Sequence, residues 1–401
     1  MTSLIRVPDG FDRDIRLLTS SMFTRRIVTG FLQVVRAIYF ALLGYTAMEI
    51  GLLLSLATFV SALHSVTFGY LCDRYGRKPF LILGTVFATL RMVVFALSTD
   101  FWMLALGQGL GAMGEGEGAG QPVVSGYITD KTEATQRPGI YSAMAITNGL
   151  AASIGSAFGG LPVYLQDIYG FNVVEAHQLL WWACAVGSAL SIVFLFPIRE
   201  PRRRTSRGGE AKKGGKVRNW GVILRFSLVR STSGLGWGMI ESLMTLYLFY
   251  RFGVGSDALG PIYSLSRFLS IFTYLLIPRM VGRFGDINTI IGSRIAAAVL
   301  TTAFALSNAY PVAMAVLVIN RIVVMFTMPI RQTLASGMVD PEETATAIGV
   351  SSFARMGVRS AAPTLAGYMF EAVSLSMPFF TGAALMAVNG ALYWVFFREK
   401  D

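Results

Sequence analysis

The sequence predicts an all-α membrane protein: twelve transmembrane helices in two pseudo-symmetric six-helix bundles, with both termini in the cytoplasm. Three observations predict it. The 401 residues are 54% hydrophobic and 14% charged, where a soluble domain averages about 45–50% apolar and about 25% charged. The apolar excess falls in stretches of roughly 20 residues, the length that crosses bilayer hydrocarbon. Lys and Arg gather in alternate connections between those stretches.

The stretches lie near 27–46, 50–71, 79–98, 101–127, 139–164, 177–197, 219–250, 257–278, 286–307, 311–336, 344–370 and 375–397. Open sheets leave backbone groups unpaired in lipid, so each stretch is expected to be a helix. The N-terminal segment carries Arg6, Arg13, Arg16, Arg25 and Arg26; the loop after span 2 carries Arg74, Arg77 and Lys78; nine basic residues fall between Arg199 and Arg218. The connections 98–100, 165–176, 308–310 and 371–374 contain none. This places the termini and the middle loop on the cytoplasmic side and accounts for the net charge of +11 without nucleic acid. Residues 1–25 are expected to form a short interfacial helix, with no cleavable signal peptide. Segment 199–218 is too polar and glycine-rich to fold alone and reads as a linker that grips anionic lipid heads. Cys72 and Cys184 suggest neither a disulfide nor a metal site.

Six spans, a basic loop and six more spans suggest internal duplication. The predicted domains are an N-terminal bundle at 1–198, a linker at 199–218 and a C-terminal bundle at 219–401. GYLCDRYGRKP (69–79) follows span 2, and PRMVGRFGDIN (278–288) follows span 8. At an offset of 209, Arg74 matches Arg283 and Gly76 matches Gly285, while Gly282 stands opposite Asp73. The first segment, through Gly69, Asp73, Arg74, Gly76, Arg77 and Lys78, resembles the motif between the second and third helices of the major facilitator superfamily. The resemblance covers essentially the whole chain. It implies two bundles that rock around a central site, with Asp73 and Arg77 latching the cytoplasmic side. A carboxylate at one helix end can cap the positive N-terminus of a neighbour; the alternative is a basic turn that only fixes topology.

GQGLGAMGEGEGAGQP (107–122) spells G-x-G-x-x-G at Gly109, Gly111 and Gly114. A dinucleotide site needs a preceding strand and a βαβ unit, which an apolar span cannot supply. Its seven glycines instead predict close helix packing. Glu115 and Glu117 then stand inside span 4. A charge at mid-membrane costs about 2.5–3.5 kcal/mol, and raising a glutamate from about 4.3 to about 7 takes roughly 3.7 kcal/mol. A buried glutamate there can therefore exchange a proton near neutrality. The two acids lie about 200° apart around a helix and cannot face the same way. Gly116-Glu117-Gly118 with Pro122 resembles the G-E-G-x-x-x-P pattern of the superfamily's organic-anion branch, which implies that Glu117 couples protons. The other reading is a structural acid paired with an arginine.

In this superfamily spans 1, 4, 7 and 10 line the cavity. The resemblance thereby nominates Arg36 in span 1, Glu241 in span 7 and Arg321 in span 10 as substrate-binding residues, together with Arg355 in span 11. Arg36 reads equally as the fixed partner of Glu117 or Glu115. Arg355 and Arg359 share a helix face, and Arg267 lies within span 8. Arg91 and Arg294, on peripheral spans, read as snorkelling or structurally paired. The excess of arginine over acid favours an anionic substrate. His64 reads as a polar group at a helix contact, with proton movement as the alternative. Span 5, with Gly149, Gly155, Gly159 and Gly160, faintly resembles the glycine-rich fifth helix of drug–proton antiporters.

The sequence thus predicts a proton-coupled carrier of small organic anions in the cytoplasmic membrane, with drug–proton antiport as the alternative and a non-transporting sensor far behind. Its partners would be a small molecule, protons and the bilayer, and the functional unit a monomer. No catalytic Ser-His-Asp set, Walker loop or metal cluster appears, so neither an enzyme nor a cofactor is expected.

Overall fold

The computed structural model describes residues 11–112, 120–133, 135–200, 220–273, 277–327, 330–331 and 344–397. Every regular element among them is helical. The chain folds as two compact units, Met1–Val35 with Val60–Ala211 and Arg36–Phe59 with Lys212–Asp401. Helix α1 (Arg13–Leu42) and helix α2 (Ala47–Tyr75) each contribute to both. The first unit adds α3 (Lys78–Leu97), α4 (Phe101–Ala112), α5 (Gly120–Lys131), α6 (Arg137–Ala157), α7 (Leu161–Tyr169) and α8 (Val173–Val193). The second adds α9 (Trp220–Glu241), α10 (Met244–Phe252), α11 (Ser256–Thr273), α12 (Ile277–Phe284), α13 (Asp286–Leu306), α14 (Tyr310–Phe326), α15 (Thr344–Ala372) and α16 (Met377–Phe397).

Local chemistry explains several boundaries. Asp12 Oδ1 accepts the Ile15 N–H at 2.8 Å and starts α1, an ordinary N-cap. No proline follows before Leu42, so α1 runs unbroken through residues expected to form a separate interfacial helix. Asn172 and Glu175 form a reciprocal capping box at the start of α8. Gly159, Gly160 and Pro162 interrupt the fifth stretch, which becomes α6, one 3-10 turn and α7.

Among the described residues, five helical segments are long and apolar enough to cross a membrane by length and composition: Ala47–Cys72, Lys78–Leu97, Val173–Val193, Asp286–Leu306 and Met377–Phe397. Leu224, Val299, Phe353 and Val395, among other large apolar residues, lie exposed on helix surfaces. An apolar exterior of this kind suits a hydrocarbon solvent.

Glycine sets how closely the helices approach. In the first unit, a Cβ on Gly155 of α6 would strike the Ile27 carbonyl of α1, and one on Gly30 would strike the Ala152 carbonyl in return. Ser156 Oγ donates to the Gly30 carbonyl at 3.2 Å across the same seam. In the second unit, Gly234 and Gly238 turn the same face of α9 toward Arg355 and Ala362 of α15, while Gly236 faces Gly382 and Leu385 of α16. Residues 47–55 join this unit through another tight seam. Gly51 abuts the Pro363 carbonyl, Gly367 abuts the Ala47 carbonyl, and Ser55 Oγ bonds the Thr364 hydroxyl at 2.7 Å. Small residues permit such close approach where lipid gives helices no hydrophobic reason to associate.

Candidate functional site

The seventh apolar stretch is not one helix. α9 ends at Glu241 and α10 starts at Met244, with Leu243 between them at φ −112°, ψ 18°. The Gly238 carbonyl accepts both the Ser242 hydroxyl and, at 3.2 Å, the Ser242 N–H, the back-bonding that bends helices. The break falls at the one acid of this stretch.

Glu241 does not stand alone there. Arg321 of α14 donates from Nη2 to Glu241 Oε1 at 2.5 Å. The Arg321 side chain is 8% exposed and that of Glu241 23% exposed. The Tyr263 ring of α11 lies under the guanidinium, 4.2 Å from its centroid, a cation–π geometry. Arg267, one turn farther along α11, is in electrostatic reach of Tyr263. Asn320, the residue before Arg321, donates from Nδ2 to Thr301 Oγ1 at 3.0 Å. The pair is incompletely satisfied: Glu241 Oε2 and Arg321 Nε are buried without a hydrogen-bond partner. A carboxylate with a free oxygen and a guanidinium with a free N–H can each accept a further ligand, a proton on the first and an oxyanion on the second.

Among the nominated residues, then, the structure brings Glu241 and Arg321 together. Arg355 packs its stem against Gly234, two turns before Glu241 on α9. Arg36 is half-buried on α1, within the segment grouped with the second unit. Glu115 and Glu117 lie outside the described residues, as do the surroundings of Gly69 and Asp73 in α2. His64 Nδ1 is 2.8 Å from the Val60 carbonyl, and its ring meets Phe68 edge-on; both partners belong to its own helix, α2. Arg91 and Arg294 are only 2% and 1% exposed, so neither snorkels.

The motif after span 2 has its own geometry. Gly76 takes φ +96°, and Glu200 stands 2.9 Å from where its Cβ would be; both favour glycine. Glu200 accepts the Arg77 and Lys78 backbone N–H groups at 2.7 and 2.9 Å, capping α3. Lys78 Nζ donates to the Phe196 carbonyl at 2.6 Å. Arg77 Nε reaches Asp130 Oδ2 of α5 at 2.6 Å, and Gly126 leaves room for its guanidinium. The second copy shares two features of the turn. Gly285 takes φ +75°, and Arg283 lies over Phe284 at 5.3 Å as Arg74 lies over Tyr75 at 5.5 Å.

A model of the Major Facilitator Superfamily matches residues 18–363. The chain belongs to the major facilitator superfamily. Members of this family are transporters and not enzymes, so the protein is a membrane transporter of small molecules. The quinolone resistance protein NorA of Staphylococcus aureus (strain MRSA252) is 24% identical over 280 residues, covering 66% of this chain and 69% of that protein. The class H tetracycline resistance protein of Pasteurella multocida is 31% identical over 158 residues, 39% of this chain and 36% of its own. Among solved structures, the inward open xylose transporter XylE from E. coli aligns with a TM-score of 0.76 at 12% identity, covering 96% of this chain and 97% of that one. That likeness concerns the fold.

Sequence reasoning missed Glu200 and Tyr263 as partners. An acid three residues beyond Pro197 was readable as a cap only once the start of α3 was known to lie beside it. Tyr263 was one of many aromatics.

Proposed function

We propose that the protein is a proton-coupled secondary carrier of the cytoplasmic membrane, working by alternating access between its N- and C-terminal halves, and that Glu241 and Arg321 form its exchange site in the C-terminal half. The observation that carries this reading is the part-satisfied ion pair at the break between α9 and α10. Discontinuous membrane helices characteristically hold transporter sites. A proton on Glu241 releases Arg321, and an acidic group on a substrate replaces the lost carboxylate. Glu117 remains a second proposed proton carrier, with Arg36 as its charge partner or the substrate's anchor.

Two substrate classes have support. Export of amphipathic compounds is favoured by the names of the curated relatives, which are resistance proteins for quinolones and tetracyclines. Small organic anions are favoured by the buried arginines. The test is flux in proteoliposomes under an imposed pH gradient, with a panel of organic anions and of amphipathic drugs, for wild type and Glu241→Gln. The reading expects gradient-driven flux that the variant loses while it keeps counterflow exchange. Equal response to the gradient in both would remove Glu241 from coupling and leave Glu117 to be tested next.

A further inference from the structure

A second polar cluster in the C-terminal half has no part in the exchange site. Val229, Ile290, Ile330 and Tyr393 form one buried apolar cluster. Arg230 and Arg331 follow two of these residues directly, and Arg294 lies one turn beyond Ile290. Arg331 is within electrostatic reach of both Arg294 and Arg230, and of the Tyr393 phenol. The three guanidiniums therefore share one neighbourhood.

Their partners are neutral. Arg230 Nη1 donates to Ser351 Oγ at 3.0 Å. Arg331 donates to the Thr327 carbonyl at 3.3 Å and lies 3.5 Å from Ser233 Oγ. Arg294 Nη1 donates to the sulfur of Met386 at 3.2 Å, and its Nε and Nη2 are buried without any partner. Among the described residues, no carboxylate forms an ion pair with any of the three. Arginine does not shed its proton in a protein interior, and a buried charge needs a counter-charge. The described residues place none here, whereas Arg321 has Glu241.

The geometry points to a bound oxyanion in this cluster: a phosphate group, carried either by an anionic phospholipid headgroup or by a soluble phosphate. Several acceptor oxygens around one centre suit convergent guanidinium forks better than a single-atom anion does. Arg230 and Arg331 are only half-buried, whereas Arg294 is 1% exposed. Ser351 lies near the start of α15 and Tyr393 toward the end of α16, while Arg230 and Arg294 sit deeper, near the middles of α9 and α13. On the proposed topology that start of α15 and that end of α16 face the cytoplasm, where anionic headgroups are found, and the arginines lie inward from them.

The experiment measures the unfolding temperature of the full-length protein in neutral detergent. Sodium phosphate is titrated at constant ionic strength against sodium chloride. In parallel arms, dioleoyl-phosphatidylglycerol is compared with dioleoyl-phosphatidylcholine in mixed micelles. A rise with phosphatidylglycerol alone identifies a lipid site, and a rise with phosphate alone a soluble ligand. A rise with both identifies a site that reads the phosphate group itself. In each case Arg294→Met abolishes the rise, yet unfolds no lower than wild type when no anion is added, because it removes an uncompensated buried charge. Should Arg294→Met fail to fold, Arg331→Gln and Arg230→Gln each raise the half-maximal phosphate or lipid concentration at least tenfold. Chloride matching phosphate, phosphatidylcholine matching phosphatidylglycerol, or a response unchanged in these variants would overturn the assignment.

Discussion

Arg321 has exchanged most of its water for one carboxylate oxygen and one aromatic face. That environment sets an asymmetry between removing Arg321 alone and removing both charges of the pair. Arg321→Met leaves Glu241 charged and unpaired, which is expected to cost about 2–4 kcal/mol, toward the lower end for breaking a buried pair because Glu241 keeps some solvent. The double variant Arg321→Met/Glu241→Gln should recover most of that loss, a coupling measurable as a thermal-unfolding double-mutant cycle. Additive losses would show that the pair is not energetically coupled. Both charges were legible in the sequence, because an acid and a base inside apolar stretches are conspicuous. Their pairing was not: eighty residues separate them, and no periodicity reports that α9 and α14 bring those two positions together. The partner of Arg321's other face, Tyr263, was invisible for the simpler reason that aromatic residues are common in membrane spans.

At the scale of elements, glycine and one acid decide how helices begin and how closely they lie. Gly155→Leu would drive a side chain into the Ile27 backbone and is expected to cost about 1–3 kcal/mol, read as a lower unfolding temperature with unchanged helical circular dichroism. Glu200→Gln keeps the shape of the α3 cap but loses its charge. Since Glu200 is exposed, the expected loss is under about 1 kcal/mol. Near-equality with wild type would be consistent, whereas a loss above about 2 kcal/mol would mean that Glu200 does more than cap. The helical character of the apolar stretches followed from their length and apolarity, and α3, α8, α13 and α16 match their predicted ranges to within a few residues. The continuity of α1 and the break after Glu241 did not follow. A hydropathy pattern cannot distinguish a polar helical turn that lies beside other helices from one that lies at an interface. Nor does it register a serine hydroxyl sharing a carbonyl with its own N–H.

For the whole molecule, the duplicated turn carries the most information. Gly76 and Gly285 share a positive φ, and the arginine before each lies over the next aromatic residue. Two sequence matches at one offset therefore correspond to a shared positive φ, although Arg77 caps α3 and Gly285 itself caps α13. The proposed topology makes a prediction at this scale. In a background with Cys72 and Cys184 replaced by serine, a single cysteine at Ser206 should react with an impermeant maleimide only after the membrane is opened. Labelling in intact cells would invert the orientation and, with it, the end at which the arginine cluster lies.

Arg294 also bears on how the protein is made. Its segment, Asp286–Leu306, emerges from the ribosome carrying a charge that costs about 2.5–3.5 kcal/mol at mid-membrane. The neighbours that enclose it, Met386 and Gly390 of α16, are synthesised only after the intervening helices. Span nine must therefore be held at the translocon, or enter with its guanidinium still hydrated, until the last helix arrives. A chain that stops before α16 lacks the cover for that arginine, and such truncated chains are expected to be cleared by membrane quality control even though every earlier span is intact.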